Sequence, residues 1–378
     1  MQEINPKKKL LIATDSFLPR WDGISRVLKE ILPFLARKYD LTLMVPNFPG
    51  KKHDFPGVKL VKFPLMNFKI GDYTPPKPSI KKIKQLIKES DIVWGQTIGP
   101  IGAVSMYYAK KYNKPLLAYI HSVEWELFSK SLKRFQRTVS VSIKLMVTSL
   151  YNKCDLLLVP SETTKQVLQQ RGIKANKEVV HLGVDVDRFK PEDKEKAKKK
   201  IGISEDKIVI GYLGRFGREK DLATLYKAFK SLNAEFKEIK LLLVGGEKAP
   251  LEEFCKSFEN IKVVSSTDTP EIYYQAMDIY VLPSLTETTS LTTLEAMSSA
   301  LPVVCTPVGH IPNYVEHKVN GFIFPQQSAE RLTIILRMLI KDEKLRERLG
   351  VKARKTVLTK YSWKKTAEEL QEAIRRFG

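Results

Sequence analysis

Short apolar runs alternate with longer stretches in which apolar residues recur every third or fourth position, and this alternation continues along most of the chain. In the first half, LLIAT (10–14), DLTLMV (40–45), DIVWG (91–95), LLAYI (116–120) and LLLVP (156–160) are near-continuous apolar runs, as strands buried on both faces of a parallel sheet must be. The stretches 24–38, 79–88, 99–111 and 162–171 carry the helical period between them. A polar, lysine-rich segment, DVDRFKPEDKEKAKKKIG (185–202), interrupts the pattern and reads as a linker. The alternation then restarts with KIVIGYLG (207–214), KLLLVGG (240–246), IKVVS (261–265), DIYVLPS (278–284) and PVVCT (302–306), and an amphipathic helix follows over 361–377. A chain of 378 residues exceeds what one core normally supports. The predicted class is α/β: two Rossmann-like, doubly wound domains, residues 1–190 and 200–360, facing across a cleft, with helix 361–378 packing back on the first.

In open parallel sheets, ligands bind beyond the carboxyl ends of the strands, so the loops there are the place to look for chemistry. The first such loop, DSFLPRWDGISRVL (15–28), sets Gly23 beside a helix start, where free N–H groups suit an anion; an ordinary turn glycine would look the same. The first loop of the second domain, GYLGRFGREKDLATL (211–225), places Gly214, Arg215, Arg218 and Lys220 between strand and helix. Such a loop is either a diphosphate clamp, with Arg as a bidentate fork and Lys as a point charge, or a basic surface loop. Neither the P-loop spacing nor G-x-G-x-x-G follows either first strand.

The segment ETTSLTTLE (287–295) has a glutamate at each end and no charge between, whereas a solvated helix face normally mixes charges. Strand 278–282 would deliver Glu287 to the cleft, with Glu295 about two turns inside the next helix. Eight residues at about 100° each end about 80° past two full turns, so the pair could meet one extended ligand at two depths. A carboxylate suits the paired hydroxyls of a sugar or ribose, and the helix-start amides of 288–291 suit a negative group between them.

The combination of GRFGREK, PSLTETTSLTTLEAMSSALPVV and NGFIF resembles the retaining glycosyltransferases of family 4, which have the GT-B fold. Their E-x7-E signature is met by Glu287 and Glu295, followed by E-A-M and a P-V-V strand. FLPRWDGISRVL, LLAYIHS, LLLVPSETTKQVL, HLGVDVDRF and the YSW helix have counterparts in the same order. The resemblance implies an N-terminal acceptor domain and a C-terminal nucleotide-sugar domain. It implies that Arg215 and Lys220 hold the donor diphosphate, with Gly214, Thr288, Thr289, Ser290 and Leu291 lining the donor site. Glu295 would bind the ribose and Glu287 a hydroxyl of the transferred sugar; Gly23 would approach the phosphates. His121, in YIHSVEW, matches a histidine placed near the reacting sugar, although a lone histidine at a strand end is often structural. His181, His310 and His317 receive no role. The donor would be a UDP- or GDP-sugar, with no metal and no cofactor. Many members have Gly where this chain has Thr288 and Ala300, which predicts altered φ/ψ in the sugar-binding loop. The T-E-T-x-x-L-x-x-L-E-A-M form, TDSFLPRWDGIS and QTIGPIGA (96–103) resemble the lipid-glycosylating branch, including diacylglycerol glycosyltransferases.

Charge adds to this picture. The net charge is +22, and residues 1–190 hold 33 Lys/Arg against 16 Asp/Glu while residues 191–378 hold 31 against 26. The first half therefore meets any anionic partner. Within 128–153, Leu132, Phe135, Val139, Ile143, Met146 and Leu150 recur at helical spacing beside Lys130, Lys133, Arg134, Arg137 and Lys144. This is either a basic helix lying on an anionic membrane or a core-facing stripe with a solvated edge, and 75–90 has the same two readings. Nucleic acid is not the expected partner, because no stacking motif or helix-turn-helix accompanies the charge. A soluble glycan acceptor and a non-catalytic sugar-nucleotide sensor are the alternatives. Three widely spaced cysteines, no ~20-residue apolar span and an initial apolar run too short for a signal peptide predict a cytoplasmic protein, peripheral on the inner face of the membrane.

Overall fold

The computed structural model describes residues 7–20, 22–51, 53–69, 73–121, 136–245 and 260–377, except the side chains of 136–141 and 143. The apolar runs of the first half form β1 (Lys9–Ala13), β2 (Asp40–Pro46), β4 (Ile92–Gly95), β5 (Leu116–Tyr119) and β6 (Leu156–Val159). Two further strands, β3 (Val58–Phe63) and β7 (Lys177–Val179), complete a parallel sheet in the order β3-β2-β1-β4-β5-β6-β7. Both additions lie at the sheet edges. Edge position explains why the pattern did not show them: VKLVKF puts lysines on its outward positions, and KEV is only half-buried. The helices α1 (Gly23–Ala36), α2 (Ile80–Glu89), α3 (Pro100–Lys111), α4 (Gln136–Asn152) and α5 (Glu162–Gln170) alternate with the strands. Asp22, Ser79 and Ser161 cap three of them by accepting from the backbone N–H three residues on.

The second sheet contains β8 (Ile208–Leu213), β9 (Ile239–Val244), β10 (Ile261–Val264), β11 (Ile279–Leu282), β12 (Val303–Cys305) and β13 (Gly321–Ile323). Its order, β10-β9-β8-β11-β12-β13, is that of a dinucleotide-binding sheet, and the order reverses between β8 and β11. Its helices are α6 (Lys194–Lys200), α7 (Leu222–Glu235), α8 (Glu271–Ala276), α9 (Leu291–Ser298), α10 (Ile311–Tyr314), α11 (Ala329–Lys341) and α12 (Glu343–Lys360). A final helix, α13 (Trp363–Arg375), belongs with the first sheet: Thr366 Oγ1 donates to His181 O at 2.8 Å, and Gln371 Nε2 to Phe34 O at 3.1 Å.

The chain thus divides into two compact units. One runs up to His181 and resumes at Trp363; the other is Leu182–Ser362. The first boundary differs from the one read at 190, because 185–202 is no linker. Phe189 is buried in the second core, and α6 buries Lys198, whose Nζ lies 3.0 Å from Asp278 Oδ2 and donates to Lys207 O at 2.6 Å. Lysine-rich composition imitated a tether, but one of those lysines is an internal ligand of β11. The stripe predicted along 128–153 also changes. Residues 128–135 lie outside the described part, and α4 packs inward with Val147, Leu150 and Tyr151 while Leu145 and Met146 face outward. In α2, Ile83 and Ile87 face the core, so the core-facing reading holds there.

Candidate active site

The reversal between β8 and β11 opens the loops after these two strands onto one place. Leaving β8, the chain passes Gly214 at φ +152°, where an added Cβ would stand 2.8 Å from Tyr212 Oη. That hydroxyl donates to Arg215 O at 2.7 Å, and burial, reinforced by the charge of Glu287, raises its pKa. The Arg215 side chain is 85% exposed and lies 3.6 Å from Glu219. Arg218–Lys220 form a single 3₁₀ turn that brings Lys220 inward.

Leaving β11, the chain delivers Glu287 to meet it. Lys220 Nζ lies 2.6 Å from Glu287 Oε1, with the two side chains 14% and 12% exposed, and Ser284 Oγ donates to the same oxygen at 2.9 Å. One carboxylate oxygen therefore takes both donors. Of the two cations, Lys220 is held in a largely buried ion pair, whereas the Arg215 side chain is exposed.

Glu287 is not on the helix. Ser290 caps α9 by accepting from Thr293 N at 3.3 Å, so the helix starts at Leu291 and Glu295 lies little more than one turn inside it. The eight-residue interval is loop plus a turn, which corrects the picture of two full helical turns. The N–H groups of Leu291 and Thr292 precede the first intrahelical bond, Leu294 N to Ser290 O at 3.2 Å. Glu295 is 1% exposed, and Tyr274 Oη donates to its Oε2 at 2.8 Å. Tyr280 Oη donates to Thr292 Oγ1 at 2.9 Å and braces the first turn of α9.

The missing glycines behave differently from each other. Thr288 is not among the residues with positive φ, so the expected change there does not take the left-handed form. Ala300, by contrast, sits at φ 59° and retains the conformation a glycine would adopt. The close approach at the sugar-binding loop is made from the other side by Gly309, where a Cβ would fall 2.3 Å from Thr288 O. There His310 N donates to Thr288 O at 2.9 Å, and His310 Nδ1 lies 2.7 Å from Thr289 Oγ1. Ser284, Tyr274 and His310 were not read from the sequence, because each acts through a neighbour that only the fold supplies.

Two of the expected residues belong to the other unit. Gly23 opens α1, and a Cβ placed on it would meet nothing within 4 Å. His121 follows β5, its ring centroid 4.7 Å from that of Tyr119 and its Nε2 2.8 Å from Gln96 Oε1. Burial lowers its pKa to about 4, against a smaller upward pull from Asp22, so the imidazole is neutral near pH 7. The same unit carries a pocket of about 300 Å³ whose walls include Phe17, Leu18, Phe48, Lys51, His53 and Lys62. Among the described residues there is no group of three His, Cys, Asp or Glu able to hold a metal ion.

Two parallel, doubly wound units, one of them with a Lys–Glu pair and a helix start at its switch point, define a GT-B glycosyltransferase. The chain belongs to glycosyltransferase family 4: residues 21–188 match the family model described as Glycosyltransferase Family 4, and residues 193–356 match Glycosyl transferases group 1. It is 22% identical to the alpha-monoglucosyldiacylglycerol synthase of Streptococcus pneumoniae, over 82% of this chain and 74% of that protein. It is also 22% identical to a GDP-mannose-dependent alpha-(1-6)-phosphatidylinositol monomannoside mannosyltransferase of Mycobacterium tuberculosis, over 97% and 98%. Among solved structures, Anabaena Alr3699/HepE in complex with UDP superposes with a TM-score of 0.78 at 19% identity, covering 98% of this chain and 100% of that one.

Proposed function

We propose that the protein is a retaining, metal-independent hexosyltransferase that moves a sugar from a UDP- or GDP-sugar to a membrane lipid or lipid-linked acceptor. The observation that carries this reading is the meeting of Lys220, Ser284, Glu287 and the α9 N-terminus at the switch point of the second sheet. Arg215 and Lys220 supply positive charge, and the α9 amides supply dipoles, where the leaving diphosphate gains charge as the anomeric bond breaks. Such groups stabilise the transition state more than the ground state. Glu287 takes a sugar hydroxyl, Glu295 the ribose, and the loop 288–291 the phosphates. Retention follows a front-face path: the anomeric C–O bond to phosphate breaks, the acceptor oxygen forms the new bond on the same face, and the departing phosphate oxygen takes the acceptor's proton.

Solved relatives with bound UDP support the donor class, and relatives named for diacylglycerol and phosphatidylinositol acceptors support a lipid acceptor. On this reading the acceptor meets the N-terminal unit, where His121, Gly23 and the pocket beside Lys51 and Lys62 lie. The test is a panel of UDP- and GDP-sugars, each offered with diacylglycerol, phosphatidylinositol or soluble glycans, with chelator present throughout. Transfer to a lipid with retained anomeric configuration is the expected result. Transfer only to soluble glycans, or only with added divalent ion, refutes the corresponding part, and failure to release nucleotide from any of the donors refutes the whole.

A further inference from the structure

Gln96 directly follows β4, and its backbone N–H donates to Ala13 O at 2.9 Å. Its side chain is 1% exposed, its Oε1 is 2.8 Å from His121 Nε2, and its own Nε2 has no hydrogen-bond partner among the described residues. A buried carboxamide with one half unanswered lowers stability, whereas a methionine of similar volume would carry no such penalty. A group kept at the expense of stability points to function rather than packing. What the amide does at this position is to bond the imidazole.

Its placement is over-determined. The Asp15 carboxylate accepts from Thr97 Oγ1 at 2.7 Å, Ile101 N at 2.7 Å and Gly102 N at 3.0 Å, which pins the turn after β4 to the end of β1. A Cβ on Gly99 would stand 2.4 Å from that carboxyl carbon, so the turn packs tightly on it. On the other side, Tyr119 Oη donates to Val180 O at 2.8 Å and holds the ring against which His121 leans. The imidazole is thus fixed on one face and at one nitrogen.

We propose that Gln96 is a positioning residue for sugar transfer: its carboxamide oxygen accepts from His121 Nε2–H and holds the neutral ring in that tautomer, leaving Nδ1 as the acceptor for a sugar hydroxyl. The proposal rests on the reading of His121 as a residue beside the reacting sugar. A neutral imidazole has one donor and one acceptor nitrogen, so fixing the first fixes the second. Among the described residues, the groups with titratable protons that bear on the ring are Tyr119 and, through its charge, Asp22 at the head of α1.

The experiment is ¹⁵N spectroscopy of the histidine rings in the full chain, which has five histidines, with His121 assigned by its loss in His121→Asn. The wild type is expected to show a protonated Nε2 and an unprotonated Nδ1. In Gln96→Met the ring should populate both tautomers and kcat should fall about 10- to 100-fold with donor KM nearly unchanged, while Tm holds or rises. Gln96→Glu keeps an acceptor, so it should retain Nε2–H, recover more activity than the methionine variant and raise the titration of His121. A wild-type ring protonated at Nδ1, or a Gln96→Met ring with an unmoved tautomer, overturns the proposal. A moved tautomer with full turnover overturns it through His121. Failure of the functional reading itself is separate, since it appears as absent transfer in the wild type.

Discussion

At the scale of residues, the two glutamates differ in setting, and the difference predicts separate kinetic consequences. Glu295 is buried and bonded to Tyr274, so alanine there would leave a void and remove that bond; glutamine is the cleaner probe because it keeps an acceptor. On the proposed function, Glu295→Gln is expected to weaken nucleotide binding about 10-fold, measured by calorimetry, with kcat within about 3-fold, because the charge-assisted bond proposed to the ribose would become a neutral one. Glu287→Gln should lower kcat about 100-fold and leave UDP or GDP affinity unchanged or tighter, since it releases Lys220 from its 2.6 Å partner. Equal losses of nucleotide affinity in both variants would contradict the division. Ala300 offers a test free of activity: with φ at 59°, Ala300→Gly should raise stability by about 0.5–1 kcal/mol in denaturant titrations. No gain would mean that the neighbouring chain, not the alanine, sets that turn.

At the scale of elements, the sequence showed the buried strands and the helices between them, because period and apolar content agree wherever a strand is covered on both faces. It did not show β3 and β7, whose polar positions face outward, or β13, which is three residues long. Glu287, Lys220 and Arg215 were legible because loops at strand ends are where such sheets bind ligands. The pairing of Lys220 with Glu287 was not legible, since it depends on the placing of β11 beside β8. The segment 185–202 misled for the opposite reason: its composition is that of a solvated tether, yet α6 is bound by an internal ion pair. Burial alone would raise the Asp278 carboxyl, but Lys194, Lys198 and the Val209 N–H outweigh it and hold its pKa below the usual value. A group with a depressed folded pKa stabilises above its unfolded pKa and loses that contribution as pH falls through the folded value. Asp278→Asn should therefore cost about 3 kcal/mol near pH 7, with the gap to wild type closing below about pH 4. A gap that persists unchanged in acid would show that the carboxylate's charge is not what α6 needs.

At the scale of the whole molecule, the charge of +22 is concentrated in the first half, and α4 presents Leu145 and Met146, 66% and 46% exposed, beside Lys144. No helix among the described residues is long and apolar enough to cross a membrane. If this face meets the acceptor's bilayer, Leu145→Glu with Met146→Glu should reduce sedimentation with anionic liposomes about 10-fold or more, through lost apolar burial and added repulsion. Wild-type binding should also weaken steeply with salt. Liposome binding indifferent to both would leave the lysines as solvated surface.

One feature of the second unit reaches beyond catalysis. Val184 N donates to Tyr361 O at 2.8 Å, so the strand of chain that enters this unit and the one that leaves it lie side by side. A module whose two ends nearly touch behaves in heredity like an insert: it enters or leaves its host gene as one continuous piece, and the host needs only a short splice from His181 to Trp363. If this unit binds the donor, as proposed, exchanging Leu182–Ser362 as one piece is expected to change donor preference while the sequence on both flanks stays untouched.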